Sequence, residues 1–210
     1  MEEKVQNPGE PNKNTKEKDK EKVTFLGTFY DIVEMLASVA AVVMLVFAFV
    51  IRLNIVDGES MEHTLHDGQY LLVSDLFYEP TRGDIVIIHD ISAKPYSNPL
   101  VKRVIATEGQ TVYIDFSTWT LTVDGEVVTE DANYRWIDPD SMTLTSAYPF
   151  PITVPEGEIF VLGDNRNHSA DSRQAEIGTI DKRCVVGKAL ARFFPLDTAE
   201  IFKNPYNADC

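Results

Sequence analysis

Ser60 and Lys102 are the two side chains of this 210-residue chain that could do covalent chemistry together. A serine hydroxyl attacks a carbonyl only once a base takes its proton. A lysine can be that base if burial lowers its pKa. Lys102 and Arg103 stand inside an apolar, β-branched run, Leu100-Val101-Lys102-Arg103-Val104-Ile105. Neighbours on a strand point to opposite faces, so one of the two cations must point inward or into a groove. A buried ammonium is unfavourable unless it is neutral or paired. Bringing a lysine from ~10.4 to near ~8 takes roughly 3 kcal/mol of differential solvation, within what burial supplies. An edge strand with both cations in water is the alternative reading.

The serine lies in Val56-Asp57-Gly58-Glu59-Ser60-Met61-Glu62-His63-Thr64-Leu65. Gly58 permits a tight turn and a close approach of another chain. A serine just after such a turn can offer both its hydroxyl and its backbone N–H to one carbonyl, the N–H helping to hold the oxyanion. A third segment, Gly163-Asp164-Asn165-Arg166-Asn167-His168-Ser169-Ala170-Asp171-Ser172-Arg173, follows the apolar run Ile159 to Leu162. There Ser169 could hold the lysine amine, and Asp171 and Arg173 could form a bidentate pair. Taken singly, each segment also reads as an ordinary turn or loop. His63 and His168 lie beside the two serines and are rival bases.

These groups need elements to position them. Residues 1–22 are nearly all polar and cannot bury enough surface to offset chain entropy, so disorder is expected. Met35 to Ile51 runs about 17 residues without a charge, the short end of the spanning range. Tyr30, Ile32 and Val33 extend it into the interface. A cleavable leader would have a shorter core nearer the start, and a buried core helix would carry a polar stripe. The run reads as a membrane anchor over 30–52, with a tail at 1–29 and an outer domain at 53–210. Lys16, Lys18, Lys20 and Lys22 precede it and Arg52 alone closes it, so the tail is expected in the cytoplasm and the domain outside. A serine and a lysine beside a membrane suggest peptide-bond cleavage at its surface.

Beyond Arg52 the pattern is that of strands. Tyr70 to Val73, Asp84 to Ile88, Val101 to Ala106, Thr111 to Ile114, Leu121 to Val123, Ile159 to Leu162 and Val185 to Ala191 are short and rich in β-branched residues. Asp124-Gly125 is a two-residue hairpin signal. A mainly β, antiparallel outer domain is expected, with an inserted lobe or long excursion at 116–155. The net charge of −14 argues against a nucleic-acid partner. No CxxC or HExxH motif occurs, so no metal or cofactor is implied. Cys184 and Cys210 form no disulfide framework and read as two thiols.

In their order, these segments resemble the bacterial type I signal peptidases, Ser/Lys endopeptidases that release secreted proteins from their signal peptides. Ser60-Met61 with Thr64-Leu65 resembles the nucleophile box, Arg82-Gly83-Asp84-Ile85-Val86 the next, and Val101 to Ile105 the lysine box. Gly163-Asp164-Asn165-Arg166 with Ser169, Asp171, Ser172 and Arg173 resembles the last, and Gly187-Lys188-Ala189 the closing strand. The resemblance implies Ser60 as nucleophile and Lys102 as general base, then general acid. It implies Ser169 as the hydroxyl orienting the lysine, and Asp171, Arg173 and Arg103 as supporting ion pairs. The Ser60 N–H is one oxyanion donor. Some relatives use a serine hydroxyl at the position of Gly58, where only a backbone N–H could serve. The family often has proline where His63 stands. The resemblance also implies secretory preproteins and the lipid bilayer as partners. An extended substrate would send small side chains into pockets lined by groups such as Met61, Ile85, Ile87 or Val101.

Other readings remain open at this point. A dedicated Ser/Lys peptidase for one exported partner fits the same residues. Self-cleaving repressor proteases share the Ser/Lys idea but carry a DNA-binding module, where this chain has an anchor and an acidic domain. A non-catalytic, anchored peptide-binding β domain explains the strands, but not the hydroxyl, amine and Asp/Arg groups in this order.

Overall fold

The computed structural model describes residues 13–89, 98–130, 135 and 149–206. The chain divides into two compact units, Met1–Ala48 and Phe49–Cys210. In the first, one helix, α1, spans Lys13–Phe49. Within it Gly27–Phe47 is 21 residues of mean hydropathy 2.0 and is exposed throughout. At 1.5 Å per residue that is about 30 Å, the thickness of a hydrocarbon core. One apolar N-terminal helix of this length fits a single-pass membrane anchor.

The helix differs from the sequence boundaries at its N-terminal end. Residues 13–22, expected to be disordered, belong to α1. The polarity argument concerns burial, whereas Lys and Glu are good helix formers without it. At the other end α1 stops at Phe49, and Arg52 already opens a strand rather than closing the anchor.

The second unit is antiparallel β. Its strands are β1 (Arg52–Ile55), β2 (Tyr70–Ser74), β3 (Ile85–Ile88), β4 (Leu100–Thr107), β5 (Thr111–Asp115), β6 (Thr120–Val123), β7 (Glu126–Val127), β8 (Ile152–Thr153), β9 (Glu158–Leu162), β10 (Ile180–Asp181), β11 (Val185–Phe194) and β12 (Glu200–Ile201). The main sheet runs β1-β2-β11-β3-β4-β9-β10, with β12 on β11. A smaller sheet runs β7-β6-β5-β8. This smaller sheet is the excursion expected at 116–155, but it begins at Thr111. Asp124 (φ 55) and Gly125 (φ 82) make its β6–β7 turn, the two positive φ values of a type I′ hairpin.

Period-2 alternation builds the core. Ile85 and Ile87 of β3 join Val56, Met61, Leu65, Leu71, Val73, Val101 and Ala189 in one cluster. Val86 and Ile88, alternating with them along the strand, join Val104, Ile159 and Val161 in another. In β9, Phe160 and Leu162 turn the opposite way, into a third cluster with Val112, Ile114, Leu121 and Val123 of the smaller sheet. Each large apolar side chain so buried contributes roughly 1.5–3 kcal/mol. Strand β4 is covered on both faces, and its Lys102 and Arg103 are 2% and 3% exposed. The sequence required one inward cation, and the fold buries both. Cys210 lies outside the described residues, so its relation to Cys184 does too.

Candidate active site

The nucleophile loop is a turn between β1 and β2. Gly58 has φ +90, and its N–H donates to Asp67 Oδ1 at 2.8 Å. Leu65 N–H donates to Met61 O at 2.7 Å, closing the turn just after Ser60. Met61 and Leu65, 1% and 0% exposed, anchor the loop in the core beneath. Ser60 is left at the surface of that core, half-buried.

Strand β4 brings Lys102 to it. Lys102 Nζ donates to Ser60 Oγ at 2.7 Å and to the Val101 carbonyl at 2.9 Å. Burial pulls the amine down from its ordinary 10.5 to about 8. Asp171 and Asp164 act the other way, and Arg173 adds to the lowering. Once the amine is neutral, the same line can carry the hydroxyl proton to Nζ. Among the described residues Ser60 Oγ has no hydrogen bond to His63 or His168, both of which are exposed.

The loop after β9 closes the site from a third side. Asn165 N–H donates to Ser60 O at 3.1 Å, and Asn165 Nδ2 to Glu59 O at 3.0 Å. Asp171 and Arg173 form the expected bidentate pair, Nε to Oδ1 at 2.8 Å and Nη2 to Oδ2 at 2.9 Å. Asp171 also accepts from the Gly163 N–H at 3.0 Å. Burial works to raise this carboxyl, but Arg173 and the Gly163 N–H hold it below its ordinary value.

Several expected placements differ in detail. Arg103 does not join Asp171 and Arg173. It makes its own two-point pair with Asp164, at 2.8 and 2.6 Å, and donates to Gly83 O at 2.9 Å. As the neighbour of Lys102 it points to the other face of β4 and meets a different carboxylate. Thr64 Oγ1 donates to the same Asp164 at 2.5 Å, tying the nucleophile loop to that pair. Ser169 Oγ is buried with no hydrogen-bond partner among the described residues, while the Lys102 amine is held by Ser60 and Val101. Gly58 cannot offer an oxyanion donor here, because its N–H is committed to Asp67. The Ser60 N–H donates to no acceptor among the described residues. In the next box, Asp84 accepts from Lys188 of β11 at 2.6 Å and from Tyr78 Oη at 3.0 Å.

A groove of about 570 Å³ opens beside the loop, lined by Leu53 to Asp57, Asp67, Gly68, Asn98 and Pro99. Among the described residues strand β1 is an edge, paired with β2 alone. Leu100–Lys102 of β4 pair with β3 but not with β9, whose register with β4 starts at Arg103. Among the described residues the β1 edge lines the groove, and Asn98 and Pro99, just ahead of β4, border its other side. Met61, Ile85, Ile87 and Val101 do not line it. All four are at most 6% exposed and pack together beneath the site. Strand alternation directs Ile85, Ile87 and Val101 to the core, and Met61 reaches it from the turn after β1.

Sequence reasoning named Asp164 only as part of a box. A buried arginine in an apolar strand was the signal that a second carboxylate had to meet it. Glu130, which pairs with Arg166, carried no local signal.

A hydroxyl and a buried amine in contact, on a rigid sheet beside an open-edged groove, can attack the carbonyl of an extended chain laid along it. The family model described as signal peptidase, peptidase S26, matches residues 29–194. Signal peptidase I of Bacillus licheniformis is 36% identical over 176 residues, covering 81% of this chain and 91% of that protein. Signal peptidase I T of Bacillus subtilis is 34% identical over 194 residues, covering 90% and 95%. A crystal structure of a signal peptidase I from Enterococcus faecalis is 31% identical and covers 53% of this chain and 97% of that one, with a TM-score of 0.40. The chain belongs to the signal peptidase family, peptidase S26, and is a serine peptidase.

Proposed function

We propose that this chain cuts signal peptides from exported preproteins, with Ser60 as nucleophile and Lys102 as its base. What supports this reading is the 2.7 Å approach of a buried, pKa-lowered amine to a serine hydroxyl. The neutral amine takes the Ser60 proton as Oγ attacks the scissile carbonyl. The tetrahedral oxyanion is held by the Ser60 N–H. Lys102 then returns the proton to the leaving amine, giving an ester on Ser60 and the released mature chain. Water, deprotonated by the same amine, hydrolyses the ester and frees the signal peptide.

The substrate strand lies between the edges of β1 and β4, pairing through its backbone with alternate side chains turned inward. Small residues before the cut fit there, because the core side chains below are already packed. The Asp171–Arg173 and Arg103–Asp164 pairs hold the loops rather than touch the substrate. The helix Gly27–Phe47 anchors the chain in the bilayer, tail inward and catalytic domain outward, so that membrane-tethered precursors meet the groove.

The test is cleavage of a secretory precursor by the purified full chain in detergent, beside Ser60→Ala and Lys102→Ala. Both variants are expected to fold and to lose about 10³-fold or more of the rate. Full activity in Lys102→Ala would reject the mechanism.

A further inference from the structure

Arg166 and Glu130 form an ion pair between two distant parts of the chain. Arg166 lies in the loop after β9, and Glu130 three residues beyond β7 of the smaller sheet. Both guanidinium Nη atoms meet both carboxylate oxygens, and the side chains are 5% and 2% exposed. Arg135 stands 3.7 Å from the same carboxylate. Two guanidiniums thus depend on one acid, and removing a buried partner leaves uncompensated charge.

The remaining bonds of Arg166 lead to the site. Its Nε donates to the Gly163 carbonyl at 2.9 Å. Its own carbonyl accepts from Arg173 Nη2 at 2.8 Å, and Arg173 in turn pairs with Asp171. Asp171 accepts from the Gly163 N–H. Gly163 is therefore held at both its carbonyl and its amide. It packs directly on the Ser60 carbonyl, which also receives the Asn165 N–H.

We infer that Glu130 is a positioning residue for the reaction, acting through Arg166 on Gly163 to keep Ser60 in line with Lys102. The inference rests on the proposed roles of Ser60 and Lys102. Without the carboxylate, Arg166 turns toward water and releases the Gly163 carbonyl. The Ser60 loop then loses the surface it rests on. The groove is built from Leu53 to Asp57, Asn98 and Pro99, away from this chain of bonds. Loss of Glu130 therefore acts on the chemical step and not on docking.

The experiment measures kcat and KM for precursor cleavage by the full chain, with the thermal midpoint alongside. The variants are Glu130→Gln, Glu130→Asp and, as a control on the exposed edge of the same sheet, Glu126→Gln. Glu130→Gln is expected to lower kcat about tenfold with KM within about twofold, the pattern of a misplaced reacting group. Glu130→Asp keeps the charge and recovers most of kcat, and Glu126→Gln matches the wild type. A folded Glu130→Gln with wild-type kcat overturns the inference, as does a loss seen only in KM or only in proportion to the unfolded fraction. Should Glu130→Gln not fold, Glu130→Leu/Arg166→Met, which removes both buried charges together, decides: a lowered kcat at a native-like midpoint supports the role, and a wild-type kcat overturns it. Cleavage that survives Lys102→Ala sinks the dyad reading and this inference together. A dyad-dependent wild type with fully active Glu130 variants sinks this inference alone.

Discussion

Gly163 packs against the Ser60 carbonyl so closely that a β-carbon added to it would lie 2.5 Å from that oxygen and would also overlap the Ser169 side chain. The glycine is what allows two loops, about a hundred residues apart in sequence, to share one backbone contact. The oxygen belongs to the main chain of the nucleophile loop and cannot rotate away as a side chain could.

Gly163→Ala is therefore expected to push the nucleophile loop off Lys102. Overpacking of this kind destabilises by about 1–3 kcal/mol, and a displaced nucleophile lowers kcat by up to about 10²-fold. Denaturation and steady-state cleavage of the same preparation measure both. An alanine variant with native rate would show that the loop yields without moving Ser60.

With Lys102 as the proposed base, its amine sets the pH dependence. The base must be neutral, so kcat/KM rises with pH and levels off above about 8. Stability has its own sign. The native amine releases its proton near 8, whereas the unfolded one keeps it to about 10.5. Between those values the unfolded chain binds more protons, so the native state gains stability as pH rises. Below about 8 both states are protonated and this contribution no longer changes. Lys102→Met should abolish activity and flatten that slope in denaturation curves taken from pH 8 to 10.5. An unchanged slope would assign it to another group.

Arg103→Met leaves the Asp164 carboxylate buried with Thr64 as a remaining donor. Breaking a buried pair from one side costs about 3–5 kcal/mol. The double change Arg103→Met/Asp164→Leu removes both charges and should recover much of that stability. Activity should stay low, because Thr64 has lost its anchor. Chemical denaturation of the two variants tests the first claim, and precursor cleavage the second.

His63→Ala and His168→Ala should each cleave within about twofold of wild type, as exposed residues with no bond to the nucleophile do. A loss of two orders of magnitude in either would revive a histidine base.

How far the sequence could be read depended on the range of the interaction. The β-branched runs, the Asp124-Gly125 turn and the inward cation in β4 are set by neighbours a few residues apart, and each is legible. The Asp171–Arg173 pair is legible for the same reason. The resemblance implies Arg103 as a supporting ion-pair residue but not its partner Asp164, because nothing local says which carboxylate a strand residue meets on its far face. Gly58 reads as an available donor, but its N–H goes to Asp67, nine residues on. Met61, Ile85, Ile87 and Val101 were read as pocket walls. Their apolar character is equally that of core, and only the packing distinguishes the two. Glu130 is one acid in a polar stretch, and its buried partner Arg166 stands 36 residues away.

The strand edge that lies open beside the groove among the described residues has a consequence for what can be cut. Amide groups are common to every amino acid, so an incomplete sheet welcomes almost any sequence that is stretched out. A segment still coiled into a helix has its amides turned inward on themselves and offers nothing to that border. Unwinding must come first, and precursors whose last helical turns fray readily near the cut will be processed sooner than those held rigid by strong helix formers.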